Sequence, residues 1–157
     1  WEKEAKVAED LGMRVVYLRM GVILSRESGA IPRMLPLYKL GLAGPLASGK
    51  QWFPWIHIQD VIGLIKFAIE NDKLQGPINL SAPGTITNKE FTKSFARTLK
   101  KPAFMPVPGV GLKLVFGNMS QTLLSSQKMI PAVSLEAGYK FKFPKIEQAL
   151  LDLFPRE

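Results

Sequence analysis

The chain has 157 residues, 46% of them hydrophobic and 22% charged, enough for one globular unit with a real core. It has no cysteine and one histidine. That excludes a disulfide scaffold, a cysteine zinc site and a His-rich metal centre, and leaves any Ser-His triad dependent on His57. The net charge is +8, but Lys100-Lys101 is the only Lys/Arg doublet and polar residues interrupt every apolar run. A solvated basic surface is therefore expected, with no nucleic-acid partner, and no stretch reaches the ~18 apolar residues of a membrane helix.

In chain order, residues 2–11 set charged side chains around Ala5, Val7, Ala8 and Leu11, which suits an exposed helix stopped by Gly12. Arg14 to Arg19 is apolar and β-branched without alternation, as in a buried parallel strand. Helix, glycine and buried strand together make an α/β rhythm. Residues 21–50 are punctuated by Gly21, Gly29, Pro32, Pro36, Gly41, Gly44, Pro45 and Gly49, with a short helix expected from Pro32 to Leu40. Apolar Ile31, Met34, Leu35 and Tyr38 make this region a binding surface rather than a disordered linker.

A strand is expected over 52–58, with Asp60 as the N-cap of a following helix that is apolar nearly all round and so should be buried. Gly76-Pro77 precedes a short strand, Ile78 to Ser81. Thr87-Asn88-Lys89-Glu90 is a capping box ahead of a helix lined by Phe91, Phe95 and Leu99 and stopped at Pro102. A strand is expected at 104–107, an apolar helix at 109–116, and a final amphipathic helix carrying Ile146, Ala149, Leu150 and Leu153.

Few of these residues can carry chemistry. His57 could be a general acid/base or a substrate donor. A structural histidine at a helix start is the preferred reading, since only Asp60 lies near it as a carboxylate. Arg19 ends a strand beside Gly21, where parallel sheets bind ligands. A phosphate or carboxylate contact and a structural ion pair are equally good readings of it. Gly21 would let a backbone approach a ligand closely. Residues 41–50 have the glycine spacing of a phosphate loop, but Gln51 stands where Ser or Thr is required, and no strand leads in. A glycine-rich hairpin is expected. Trp52 and Trp55 could stack on a planar or sugar ligand, or pack a core or interface. No Gly-x-x-Gly-x-x-Gly turn and no Tyr-x-x-x-Lys pair is present, so this chain alone is not expected to bind a dinucleotide well.

The string Leu18-Arg19-Met20-Gly21-Val22-Ile23-Leu24, Met34-Leu35-Pro36, Gly44-Pro45, Pro54-Trp55-Ile56-His57-Ile58, Asp60, Asn79 and Ala82-Pro83 closely resembles the YfcH-like epimerase family. These are atypical extended short-chain dehydrogenases. Phe104-Met105-Pro106-Val107-Pro108 and Ala137-Gly138-Tyr139 resemble that family's carboxyl-terminal domain.

The resemblance implies an α/β fold: the carboxyl-terminal part of a Rossmann-like extended dehydrogenase, with an α-rich end. It implies residues 1–85 as the end of the nucleotide-binding domain with its substrate cap, and 86–157 as the family-specific domain. It implies NADP(H), held mainly by an upstream half that also carries the catalytic Tyr-x-x-x-Lys region. Leu18, Arg19, Gly21 and Val22 would lie beside the nicotinamide, and Gln51, Trp52, Trp55 and His57 would shape the substrate pocket. A small-molecule substrate, the upstream half, a homodimer and a cytoplasmic location complete the expectation, with a non-catalytic dinucleotide sensor or scaffold as the alternative. One departure is informative. Related sugar-nucleotide enzymes carry Arg-Asp where this chain has Phe53-Pro54, and a phenyl ring cannot neutralise a pyrophosphate, which argues against a sugar-nucleotide substrate.

Overall fold

A computed structural model describes residues 2–103 and 126–155. The elements run α1 (Glu2–Asp10), β1 (Val16–Met20), β2 (Val22–Leu24), α2 (Ala30–Lys39), β3 (Trp52–Phe53), β4 (Trp55–His57), α3 (Ile58–Glu70), β5 (Gly76–Leu80), β6 (Ile86–Thr87), α4 (Asn88–Thr98), α5 (Ala132–Glu136) and α6 (Ile146–Leu153). The strand and helix expected at 104–116 lie outside the described residues.

Among the described residues the strands form three pairs. β1 runs parallel to β5, with Met20 opposite Leu80; β2 runs parallel to β4, with Val22 opposite Trp55; β3 runs antiparallel to β6. Side chains alternate along β1. Val16 and Leu18 pack toward α3, while Arg19 meets Glu2 of α1. The β1–β5 pair thus has a helix on each face, as in a doubly wound α/β layer.

Two apolar clusters hold the fold. One, beneath α3, joins Ile56, Val61 and Leu64 to Ile78 and Leu80. The larger gathers Leu24, Ile31 and Tyr38 with Phe91, Phe95, Ile146 and Leu150, so it draws on both sides of residue 85. Phe53 stacks on Phe91 with ring centroids 4.3 Å apart. The capping box of α4 forms as the sequence indicates: the Glu90 N–H donates to Thr87 Oγ1 at 3.3 Å, and Glu90 Oε2 accepts from the Thr87 N–H at 2.7 Å. The final helix also buries the expected Ile146, Ala149, Leu150 and Leu153.

Four expectations are corrected. β1 is parallel but only half-buried, with Arg19 and Met20 exposed, because β5 is its one hydrogen-bonded neighbour among the described residues. The strand expected over 52–58 is broken at Pro54 into two short strands with different partners, since proline has no N–H to continue a ladder. α3 is capped by His57 rather than Asp60. Its apolar circumference is not wholly buried, for Ile62 and Ile69 are 61% and 68% exposed. No helix among the described residues is long and apolar enough to cross a membrane.

Residues 41–50 form a turn, not a phosphate cradle. The Leu46 N–H donates to Asn88 Oδ1, Gln51 Nε2 donates to the Leu46 carbonyl at 3.0 Å, and the Lys89 N–H donates to the Gly49 carbonyl. The turn's polar groups are spent on the start of α4. Gly49 is required twice over, by φ +67° and because a Cβ would lie 2.9 Å from Pro45 Cβ.

Candidate functional site

The site is built where β1 hands over to β2. The Gly21 N–H donates to the Leu80 carbonyl at 3.0 Å, and the next N–H, on Val22, donates to the Pro54 carbonyl at 2.7 Å. The chain therefore changes partners within one residue, leaving β5 for β4. A Cβ on Gly21 would lie 2.9 Å from Pro54 O and 3.3 Å from Leu80 O. Gly21 is thus demanded by two neighbouring backbones. A split at the carboxyl ends of parallel strands is where such sheets open a ligand crevice.

Around this switch the four residues expected beside a cofactor separate. Gly21 and Val22 line the split itself. Leu18 faces α3. Arg19 faces α1, where its Nε and Nη2 donate to the two Glu2 carboxylate oxygens at 2.6 and 2.8 Å. This two-point hydrogen bond holds the Glu2 carboxyl below its ordinary value. The pair is exposed, so solvent screens it and a competing anion could displace it.

A second wall comes from the far end of the chain. Residues 126–130 run as a strap from the amino end of β3 to the carboxyl end of β5. The Trp52 N–H donates to Ser126 Oγ at 3.2 Å, Ser81 Oγ donates to the Met129 carbonyl at 3.3 Å, and Asn79 Nδ2 donates to the Ile130 carbonyl at 3.0 Å. Ser81 is 1% exposed, so its hydroxyl needs such a partner. Lys128 Nζ lies 4.8 Å from the centroid of the half-buried Trp52 ring, a cation–aromatic contact worth about 0.5–1 kcal/mol at an exposed site.

The residues expected to shape the pocket divide likewise. Trp52 meets the strap. Trp55 is 1% exposed and its indole N–H donates to the Gly84 carbonyl at 3.0 Å, so it supports the site from the core. Gln51 is buried behind it, bonded to Leu46. His57 is 1% exposed, with its ring 4.0 Å from that of Phe143. His57 Nδ1 accepts the Gln59 N–H at 3.2 Å, which places the ring proton on Nε2. Nε2 faces Asp152 Oδ2 at 3.3 Å, off the line of a good hydrogen bond. Burial is the chief cause and lowers the His57 pKa; Asp152 and Asp60 oppose it, and Lys142 adds a lesser lowering. The imidazole is therefore neutral at pH 7, with both nitrogens turned toward structural neighbours.

Asp60 holds the carboxyl-terminal segment. Its Oδ1 accepts from the Lys142 N–H at 2.8 Å and the Tyr139 hydroxyl at 3.3 Å, and its Oδ2 accepts from the Phe143 N–H at 2.9 Å. Burial and the Asp60 carboxylate push the Tyr139 hydroxyl up to about 12, so it remains a donor. Sequence reasoning missed this tether and the strap, because each joins segments roughly fifty or eighty residues apart with no local pattern to announce it. Among the described residues no cluster of His, Asp and Glu could hold a metal ion.

A sheet split under a helix-covered α/β layer, closed by a carboxyl-terminal segment, defines the carboxyl-terminal part of a Rossmann-like short-chain dehydrogenase. Comparison with known proteins bears this out. The chain is 43% identical over 154 residues to the mouse epimerase family protein SDR39U1, covering 98% of this chain and 52% of that protein. It is 38% identical to the epimerase family protein YfhF of Bacillus subtilis, with 98% and 50% covered. A crystal structure of human SDR39U1 (isoform 2) with NADPH superposes with a TM-score of 0.84 at 42% identity, covering 90% of this chain and 48% of that one. A nucleoside-diphosphate sugar epimerase from Corynebacterium glutamicum superposes with a TM-score of 0.77 at 29% identity, covering 98% of this chain and 29% of that one. Residues 107–153 match a domain of unknown function, DUF1731. The chain spans about half the length of the relatives it matches. By these similarities the chain resembles part of the epimerase family proteins and shares the Rossmann-like fold of extended short-chain dehydrogenases.

Proposed function

We propose that the chain is the substrate-side half of an NADP(H)-dependent oxidoreductase or epimerase-like protein of the YfcH-like kind. The observation that carries this is the strand switch at Gly21, in a fold shared at 42% identity with a protein crystallised with NADPH. In this reading the backbone from Leu18 and Arg19 to Gly21 and Val22 runs along the nicotinamide side of the cofactor, with Gly21 and Val22 at the split and the Leu18 and Arg19 side chains turned to α3 and α1. Trp52 faces the substrate, and Gln51, Trp55 and His57 set the wall behind it. The Tyr-x-x-x-Lys acid/base pair and most of the cofactor grip belong to an upstream half, with the division of this chain at residues 85/86. The protein acts in the cytoplasm on a small molecule, alone or as a homodimer, and not on nucleic acid or membranes. Phe53 is 2% exposed and stacked in the core, so it offers no cation to a sugar nucleotide's diphosphate.

The test is titration of the full-length protein with NADPH and NADH, following nucleotide emission and thermal stability. Saturable binding with NADPH preferred is expected; the absence of any binding or stabilisation refutes the reading. A second reading, a dinucleotide-binding sensor or scaffold, is favoured by the burial of His57, whose Nδ1 is taken by the Gln59 N–H and whose Nε2 faces Asp152. It predicts NADPH binding without hydride exchange to any carbonyl or alcohol supplied.

A further inference from the structure

We propose that Lys128, set over Trp52 by the strap, is the residue that reads the charge of the substrate, and that the substrate is a small carboxylate or phosphate ester with a flat apolar face, such as a pyranose ring. This deepens the reading above and rests on it for the role of the site. The expected position for an anion-binding Arg on the preceding strand is taken by Phe53, which is turned into the core against Phe91. Arg19 is held on the other face by Glu2. Lys128 differs from both. It is exposed, its ammonium lies over the Trp52 ring, and among the described residues no carboxylate pairs with it.

Its placement is built from several independent contacts. Ser126, two residues before it, accepts from the Trp52 N–H; Ser81 and Asn79, both at the carboxyl end of β5, hold the carbonyls of the two residues after it. The polar side chains that terminate β5 are thus committed to fixing a lysine at the carboxyl end of a parallel strand pair, beside the indole that opens β3. An ammonium satisfies an anion as a point charge without demanding a planar, two-pronged partner, so carboxylate and phosphate are both suitable. The indole face suits the apolar face of a sugar ring. The cation of this wall therefore comes from a segment more than seventy residues after Phe53.

The test titrates the full-length protein with glucuronate, glucose 6-phosphate and glucose, with and without NADPH, reading tryptophan emission and calorimetry. The expected result is saturable binding of one or both anions, at least tenfold tighter than glucose, with the quench lost in Trp52→Phe. The stronger anion tells a carboxylate substrate from a phosphate one. Lys128→Met should abolish the preference over glucose, roughly a tenfold loss, while Lys128→Arg keeps it and NADPH affinity stays unchanged in both. Equal binding of glucose, no anion binding, or an undiminished preference in a folded Lys128→Met protein overturns the proposal. Failure of NADPH to bind, with anion binding intact, overturns the cofactor reading instead.

Discussion

Substitution of Asp60 separates the capping role expected from the sequence from the tethering role the structure gives it. As a helix N-cap, Asp would be replaceable by Ser at a cost of a few tenths of a kcal/mol, since both are good caps. In the structure Asp60 is three residues past the His57 cap and its carboxylate, 1% exposed, receives the N–H groups of Lys142 and Phe143 and the Tyr139 hydroxyl. A serine there is too short to reach the second segment. It would leave the buried Phe143 N–H unpaired, and stranding one buried donor costs about 1–3 kcal/mol. Asp60→Ser is therefore expected to destabilise by about 3 kcal/mol, close to Asp60→Ala. Asp60→Asn keeps one acceptor oxygen but turns an NH2 toward an N–H, and should cost about 2 kcal/mol. At this chain length each kcal/mol shifts Tm by about 2–4 °C, so the Ser variant should melt roughly 6–12 °C lower. Thermal melts, with amide exchange resolved at 140–144, measure both the cost and its place. A Ser variant within about 0.5 kcal/mol of the parent, with no new exchange at those amides, would show that the tether carries no load.

Two further outcomes follow from the same geometry. Gly21→Ala drives a Cβ against the Pro54 and Leu80 carbonyl oxygens, and should cost about 1–3 kcal/mol by urea unfolding; an unchanged midpoint would disprove the close approach of the three backbones. His57 has a lowered folded-state pKa, chiefly from burial, so the unfolded chain binds the proton more readily. Stability should therefore be fully present above the ordinary histidine value near 6.5 and fall as pH drops below it, and His57→Gln should flatten that part of the stability–pH curve. A parent curve no steeper than that of the variant would contradict the assignment.

Much of the fold was legible because its signals are local. The capping box at Thr87–Glu90, the stop at Gly12 and the apolar stripe of the last helix all act within a turn or two, and each appears where the residues indicate. The errors arise where a distant segment overrides a local rule. Asp60 has the side chain of a cap and sits near a helix start, yet His57 takes the cap and frees Asp60 for residues 139–143. The apolar ring of α3 reads as burial, yet two of its isoleucines face outward. Of the site, Gly21 was recognisable as a place of close approach, but the approaching groups are the Pro54 and Leu80 backbones. The Arg19 ion pair with Glu2 was one of two readings left open. Trp55 and Gln51 could not be told from ligand-facing residues by type alone; burial decides their orientation, and it depends on the whole fold.

The two features absent from the local sequence pattern act on the same part of the molecule. The Asp60 tether fixes residues 139–143 to the start of α3, and the strap fixes 126–130 across the ends of β3 and β5. Between them lies α5, packed on β5. The carboxyl-terminal segment is thus pinned at both ends, one pin beside the helix that His57 caps and the other beside the split that Gly21 permits. A ligand edge usually depends on mobile loops, whose ordering upon binding costs conformational entropy. Here the wall bearing Trp52 and Lys128 is held by hydrogen bonds at Ser126, Asn79 and the buried Ser81 without any ligand, so its geometry is set by the fold. On the proposal that Lys128 reads the substrate's charge, specificity lies in the carboxyl-terminal segment and not in the strand where Phe53 is a core ring.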